Sequence, residues 1–97
     1  MAYVTLTHWK TSKLTDEMLA AANKKFIPMI MQVGASNVQI MRTGDLSICV
    51  ITQYKDADTA RAAQQRIAHI RSQAASEFPM TIERTHTGEI IDGSEPN

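Results

Sequence analysis

The chain has 97 residues, 43% of them hydrophobic and 21% charged, which is enough for one globular domain with a modest core. Its 10 Lys and Arg residues balance 10 Asp and Glu residues, so no excess positive charge favours binding to nucleic acid or to an anionic membrane. A single Cys cannot form an internal disulfide, and two Cys/His pairs at zinc-finger spacing are absent, so neither a secreted disulfide scaffold nor a structural zinc site fits. We therefore expect a reducing, cytoplasmic environment. No apolar run approaches the roughly 20 residues of a membrane span, and no leader pattern opens the chain, so we expect no membrane insertion or export.

The first predicted element is a strand, YVTLTHWK, at positions 3–10. Val4 and Leu6 share one face, and we expect that face to pack against the core because aliphatic side chains line the inner side of a half-buried strand. The other face carries hydroxyl and aromatic groups, namely Tyr3, Thr5, Thr7 and Trp9. This second face is then predicted to point away from the helices.

A helix is predicted next, beginning after Thr15 as N-cap and ending at Gly34 as the left-handed C-terminal residue. Its apolar face comprises Met18, Leu19, Ala22, Phe26, Met29, Ile30 and Val33. A second helix begins at Asp56 or Asp58 and ends before Pro79, which disfavours helix in the residue that precedes it. Its apolar stripe comprises Ala60, Ala63, Ile67, Ile70, Ala74 and Phe78, with Arg66 and Arg71 on the flanks.

Two strands, SNVQIMR and LSICVITQY, lie between the helices and are joined by a TGD hairpin signal; a fourth strand, MTIERTH, follows the second helix. The order β-α-β-β-α-β predicts an α+β, ferredoxin-like domain, a four-stranded antiparallel sheet with both helices on one face. We place this domain at positions 1–91 and expect positions 92–97 to form a flexible tail. The residues predicted to face the helices are Val4, Leu6, Val38, Ile40, Ile48, Val50 and Ile82.

The opposite face of the predicted sheet mixes apolar and polar side chains, among them Tyr3, Thr5, Thr7, Trp9, Met41, Cys49, Ile51, Gln53, Glu83 and Thr85. Such a face is too apolar to be left bare, since monomers rarely expose large apolar patches. No residues remain for another layer of structure. We therefore expect a second copy of the chain to cover this face, related to the first by a two-fold axis.

The length, the element order and the mixed face resemble those of the dimeric α+β barrel superfamily, which includes antibiotic-biosynthesis monooxygenase-like, stress-responsive and EthD-like families. The resemblance implies a homodimer with one small-molecule site per subunit, either between sheet and helices or in the space enclosed by the two sheets. In some members it implies oxidation of aromatic substrates by O₂ without a cofactor. Other members degrade haem with an Asn on the first strand and with a Trp and a His around the third strand and second helix. In this chain the only Trp is Trp9 on the first strand, the third strand ends in Tyr54, and His69 lies on the solvent side of its helix, so haem degradation is not expected.

The resulting hypothesis is a protein that binds a small aromatic or quinone-like molecule, with cofactor-independent monooxygenase activity and no bound cofactor or metal. The alternative is a non-catalytic dimeric module whose enclosed space is packed with side chains. A continuous cavity bounded by Trp9 and Glu83 would favour the first hypothesis.

The candidate ligand-binding residues are Trp9, Thr7, Thr5, Gln53 and Met41. The candidate catalytic residues are Glu83 and His8. Glu83 has the strand parity of the mixed face and is expected near Thr7, where partial burial would raise its pKa and suit it to act as a base.

Each candidate has a structural alternative. Glu83 could instead be an edge-strand charge that prevents unwanted strand pairing. His8 and His86 are expected near opposite ends of the sheet and therefore not to converge, so the histidines could be unrelated surface groups. Cys49 has no expected His neighbour and is interpreted as a small buried hydrophobe.

Overall fold

The structure, a computed structural model, describes residues 1–93. Six elements follow in the order β1 Tyr3–Thr11, α1 Asp16–Gln32, β2 Asn37–Gly44, β3 Ser47–Tyr54, α2 Ala57–Glu77 and β4 Met80–Glu89. The strands form one antiparallel sheet in the order β2-β3-β1-β4. The predicted α+β, ferredoxin-like fold is therefore confirmed. Positions 94–97 of the predicted tail lie outside the described residues, and the domain boundary at position 91 stays a prediction.

The helices begin and end where their capping residues predict. The Thr15 hydroxyl accepts a hydrogen bond from the Met18 amide at 3.1 Å, and Gly34 follows α1 with a φ of 116°, a conformation that glycine adopts without steric cost. Asp56, rather than Asp58, caps α2. No helix within residues 1–93 is long and apolar enough to cross a membrane.

Both helices pack their predicted apolar faces against the sheet. One core cluster joins Phe26 of α1 and Ile70 of α2 to Trp9 and Ile48 of the sheet. A second cluster surrounds Tyr54, whose exposed fraction is only 3%. Ala60 and Ala63 of α2 belong to this second cluster, and the partly buried Ile67 packs against both clusters.

The predicted faces of β2 and β3 are confirmed, whereas that of β1 is wrong. Ile40 and Ile48 pack in the core, and Met41 lies opposite Cys49 on the other side. In β1, however, Trp9 is opposite Ile48, so the row of Tyr3, Thr5, Thr7 and Trp9 faces the helices. Val4 and Leu6 therefore lie on the outer face. The prediction assumed a dry aliphatic core, but the space under the helices is partly a cavity that accommodates hydroxyl groups.

A β-bulge in β4 also changes the predicted arrangement of that strand. His8 pairs with Arg84 while Trp9 pairs with Ile82, so Glu83 is the extra residue and the alternation reverses after it. Thr85 and Thr87 consequently line the helix side of the sheet, not the outer face as predicted for Thr85. Ile82 remains 40% exposed although it lies opposite Trp9.

Candidate functional site

A cavity of about 330 Å³ lies between the sheet and the two helices. Its size is that of a site for one small ligand, at the lower end of the usual range for such pockets. The cavity exists because the helix residues that face the sheet include several alanines, which leave space above β1. Trp9, with an exposed fraction of 5%, forms part of its wall.

The sheet side of the cavity is rich in hydroxyl groups. Thr7 is 3% exposed, and Tyr3 donates a hydrogen bond from its hydroxyl to Thr87 Oγ1 at 3.3 Å. The hydroxyl-bearing residues of this wall are Tyr3, Thr5, Thr7, Thr52, Tyr54, Thr85 and Thr87. Each hydroxyl can donate or accept a hydrogen bond, so this wall can bind polar groups along one edge of a ligand.

The helix side of the cavity is mainly apolar. Its apolar members are Ala22, Phe26, Ile27, Ile30, Ala57, Ala60, Ile67, Ala68, Ile70 and Ala74, and its polar members are Arg61, Gln64 and Arg71. These side chains come from one face of α1 and one stripe of α2, because residues three and four apart lie on the same side of a helix. A flat apolar ligand with polar substituents on one edge would match both walls.

Arg71 of α2 brings a positive charge to this mainly apolar side of the cavity. Its Nη2 atom donates a hydrogen bond to Thr7 Oγ1 at 2.9 Å. Loss of hydration lowers the pKa of the half-buried guanidinium, an effect that nearby Tyr54 opposes, yet an arginine side chain stays protonated in proteins. Arg71 and Thr7 thus connect the helix and sheet walls through a charge-assisted hydrogen bond.

Tyr54 lies at the end of β3 and contributes a second polar group to the cavity. Burial raises the pKa of its phenol above the ordinary value of 10.0, and the positive charge of Arg71 opposes the shift. The phenol is therefore neutral at physiological pH and can donate a hydrogen bond to a carbonyl or anionic oxygen.

The structure brings only part of the predicted site together. Trp9, Thr7 and Thr5 line the cavity, whereas the other four candidates do not; these are Gln53, Met41, His8 and Glu83. The predicted grouping of the ligand-binding residues on one face is wrong, because Trp9, Thr7 and Thr5 face the helices while Gln53 and Met41 lie on the outer side. His8, which shares the strand parity of Leu6, also lies on the outer side. Glu83 is an exposed bulge residue, with its carboxylate 3.8 Å from Arg84. Its role as a base, like that of His8, stays a prediction.

On the outer face, His8 has closer neighbours than the sequence suggested. Its Nε2 atom lies 3.9 Å from Cys49 Sγ, and its ring packs edge-on against His86 with centroids 5.9 Å apart. The expectation that His8 and His86 do not converge is wrong, because the register places His86 opposite Leu6, directly beside His8. Burial raises the pKa of the Cys49 thiol, with Arg84 opposing the shift, so the thiol is not activated as a nucleophile.

No group of three or more metal-binding side chains occurs among residues 1–93. Within the same residues, the cavity lining contains neither a carboxylate nor a histidine; its ionisable side chains are Tyr3, Tyr54, Arg61 and Arg71. The cavity can therefore bind, orient and donate hydrogen bonds, and a negative charge placed in it would be stabilised.

Arg71 and Tyr54 were not predicted as site residues. The signal for Arg71 is its position four residues after Ile67 and three before Ala74, which places its stem beside the buried stripe of α2. The signal for Tyr54 is its strand parity with Ile48 and Val50, both predicted to face the helices. More generally, an arginine next to the apolar stripe of a helix indicates a charged group that can reach the sheet on which the helix packs.

Comparison with solved structures identifies several proteins with similar folds. The cofactor-independent oxygenase SnoaB from Streptomyces nogalater aligns with a TM-score of 0.71 at 13% identity, over 95% of this chain and 95% of SnoaB. A monooxygenase from the gene ActVA-Orf6 of Streptomyces coelicolor, in complex with nanaomycin D, gives 0.70 at 14% identity, over 99% and 93% of the two chains. A dimeric ferredoxin-like protein from an uncultured marine organism gives 0.69 at 9% identity, over 99% and 100%.

No family model and no curated protein sequence matches the chain. Because the sequence identities to the solved structures are low, the similarity to them concerns the fold. The predicted resemblance to the monooxygenase-like barrels is confirmed at that level: the chain has the ferredoxin-like fold of these proteins.

Proposed function

We propose that this protein binds a small, flat, aromatic or quinone-like molecule in the cavity between its sheet and helices. The observation that carries this proposal is the cavity itself, about 330 Å³ in volume and amphipathic in its two walls. Its apolar helix side suits the faces of an aromatic ring, and its hydroxyl-rich sheet side suits ring substituents. Trp9 stands beside the ligand in this arrangement.

The reaction we propose for a phenolic ligand is oxidation by O₂ without a cofactor. In this reaction the phenolic C–OH and one ring C–H each become a carbonyl group, which turns the phenol into a quinone. One oxygen atom of O₂ enters the ring carbonyl, and the other leaves as water. The electrons come from the substrate, so no redox cofactor is needed. Support comes from two structural neighbours, one described as a cofactor-independent oxygenase and the other as a monooxygenase.

We further propose that the chain acts as a homodimer joined through the outer face of its sheet. Met41 on this face is 49% exposed, and Val4, Leu6 and Ile51 extend the apolar surface across the neighbouring strands. Covering these side chains with a second copy would remove apolar area from water. A structural neighbour described as a dimeric ferredoxin-like protein supports this assembly.

The test is titration of the purified protein with a panel of phenols, quinones and flavins while the fluorescence of Trp9, the single Trp of the chain, is recorded. A ligand in the cavity is expected to quench this fluorescence with saturable binding. Phenols that bind are then assayed for O₂ consumption and equimolar quinone formation. Binding without O₂ consumption would refute the oxidation step, and absence of any Trp9 response would favour the alternative of a non-catalytic module.

A further inference from the structure

The guanidinium of Arg71 is the least neutralised charge in the cavity. One of its nitrogen atoms donates to Thr7, a neutral acceptor, and no ion pair within residues 1–93 includes Arg71. Removing a charge from water is costly unless an opposite charge lies close to it. A binding site can meet this cost with the charge of its ligand.

The charges of the cavity wall all have the same sign. Arg61 also lines the cavity, but it is largely exposed and its Nη1 atom lies 2.9 Å from Asp58 Oδ1. Within the described residues no Asp or Glu side chain lines the cavity, so the lining carries net positive charge. This charge favours an anion over a neutral or cationic ligand.

The donors around Arg71 suit an oxygen anion. A guanidinium presents several N–H groups in a planar fork that matches the two oxygens of a carboxylate. The hydrogen bond to Thr7 uses one nitrogen and fixes the guanidinium against β1, while the phenol of Tyr54 adds a further hydrogen-bond donor to the lining of the cavity. Thr7 is thus a positioning residue, which acts through Arg71.

We propose that the ligand is an aromatic carboxylate whose anionic group pairs with Arg71 inside the cavity. This inference rests on the proposed function, since it adds the charge of the ligand to a site that binds an aromatic ring. The ring lies among the apolar side chains of the helices, and the carboxylate points toward Arg71 and the hydroxyl groups of β1.

The test compares two probes of nearly the same shape, anthraquinone-2-carboxylate and anthraquinone-2-carboxamide, by titration of Trp9 fluorescence at pH 7. The wild-type protein is expected to bind the carboxylate at least about tenfold more tightly than the carboxamide, because a hydrogen bond to a charged group is about twice as strong as a neutral one. Arg71→Gln is expected to abolish this preference while the carboxamide still binds.

Arg66→Gln is the matched control, since Arg66 lies on the same helix but outside the cavity lining. It should keep the wild-type preference. Thr7→Val should reduce the preference for the carboxylate because Arg71 loses its anchor. Arg71→Lys, which keeps the charge but not the fork, should retain part of the preference, so the inference remains testable if Arg71→Gln does not fold.

Three outcomes separate this inference from the function on which it rests. Equal affinity of the wild-type protein for both probes would overturn the charge assignment and leave the aromatic-binding function standing. A carboxylate preference that survives in both Arg71 variants at full strength would also overturn it. Failure of both probes to affect Trp9 would count against the inference and against the proposed function together.

Discussion

Replacing Thr7 with Val is expected to destabilise the protein by removing the acceptor that holds Arg71. The two side chains are nearly isosteric, so the change removes the hydrogen bond of 2.9 Å without opening space. Hydrogen bonds to charged groups contribute about 1.5–3 kcal/mol, and the half-exposure of Arg71 together with the added methyl group reduces this to about 1 kcal/mol. For a domain of this size, that loss lowers the melting temperature by about 4–8 °C.

The control for this prediction is Thr5→Val, the same substitution two residues earlier on the same wall. Thr5 is 9% exposed, and the Thr hydroxyl that accepts from Arg71 is that of Thr7. Thermal unfolding of both variants at one protein concentration measures the difference between them. Equal melting temperatures for the two variants would refute the reasoning, since they would show that the bond between Arg71 and Thr7 contributes nothing to stability.

Three further predictions concern the outer face, the bulge and the second helix. Ile51→Lys should convert a dimer to monomers or unfold the chain, because it buries an unpaired charge at a cost of several kcal/mol; sedimentation of the wild-type protein as a monomer at micromolar concentration would contradict the proposed dimer. Glu83→Gln should leave ligand quenching of Trp9 unchanged, since Glu83 lies outside the cavity, and a loss of turnover in this variant would support its predicted role as a base. The hydrogen bonds from Thr59 lower the pKa of the Asp56 carboxyl in the folded protein below its ordinary value of 3.8. The ionised carboxylate therefore stabilises the fold above pH 3.8, and this contribution is lost as the pH falls through the lower pKa of the folded state. Asp56→Asn should remove this pH dependence and flatten the acid limb of a plot of stability against pH.

Most of the fold could be predicted because its elements have strong local signals. Thr15 and Gly34 define the ends of the first helix, and a helical period of apolar residues defines the side that each helix buries. Short connections and the handedness of crossovers then leave few ways to arrange two helices and four strands. The capping residues and the apolar periods depend on residues that are close together along the chain, so the sequence shows them directly.

The orientation of β1 could not be predicted in the same way because both of its faces carry apolar side chains. The helices cover one face, and the other face presents Val4 and Leu6 on the outer side of the sheet. A strand with one wet face shows its inner side by simple alternation. In β1, Leu6 lies on the outer face while Thr7 is 3% exposed under the helices, so hydrophobicity alone selects the wrong side. The deciding information is the pairing of Trp9 with Ile48, which is a long-range contact.

The β-bulge at Glu83 explains why β4 contributes hydroxyl groups, and not Arg or His side chains, to the helix side of the sheet. Met80 and Ile82 lie opposite Thr11 and Trp9 on the helix side, and uninterrupted alternation would continue this row with Arg84 and His86. The extra residue shifts the row by one, so Thr85 and Thr87 line the cavity instead, and Arg84 and His86 join His8 on the outer face. A one-residue shift exchanges every later side chain between the two faces of a strand. The bulge thus leaves Arg61 and Arg71 as the charged side chains of the described lining, and the ligand charge proposed above depends on Arg71, because Arg61 is already paired with Asp58.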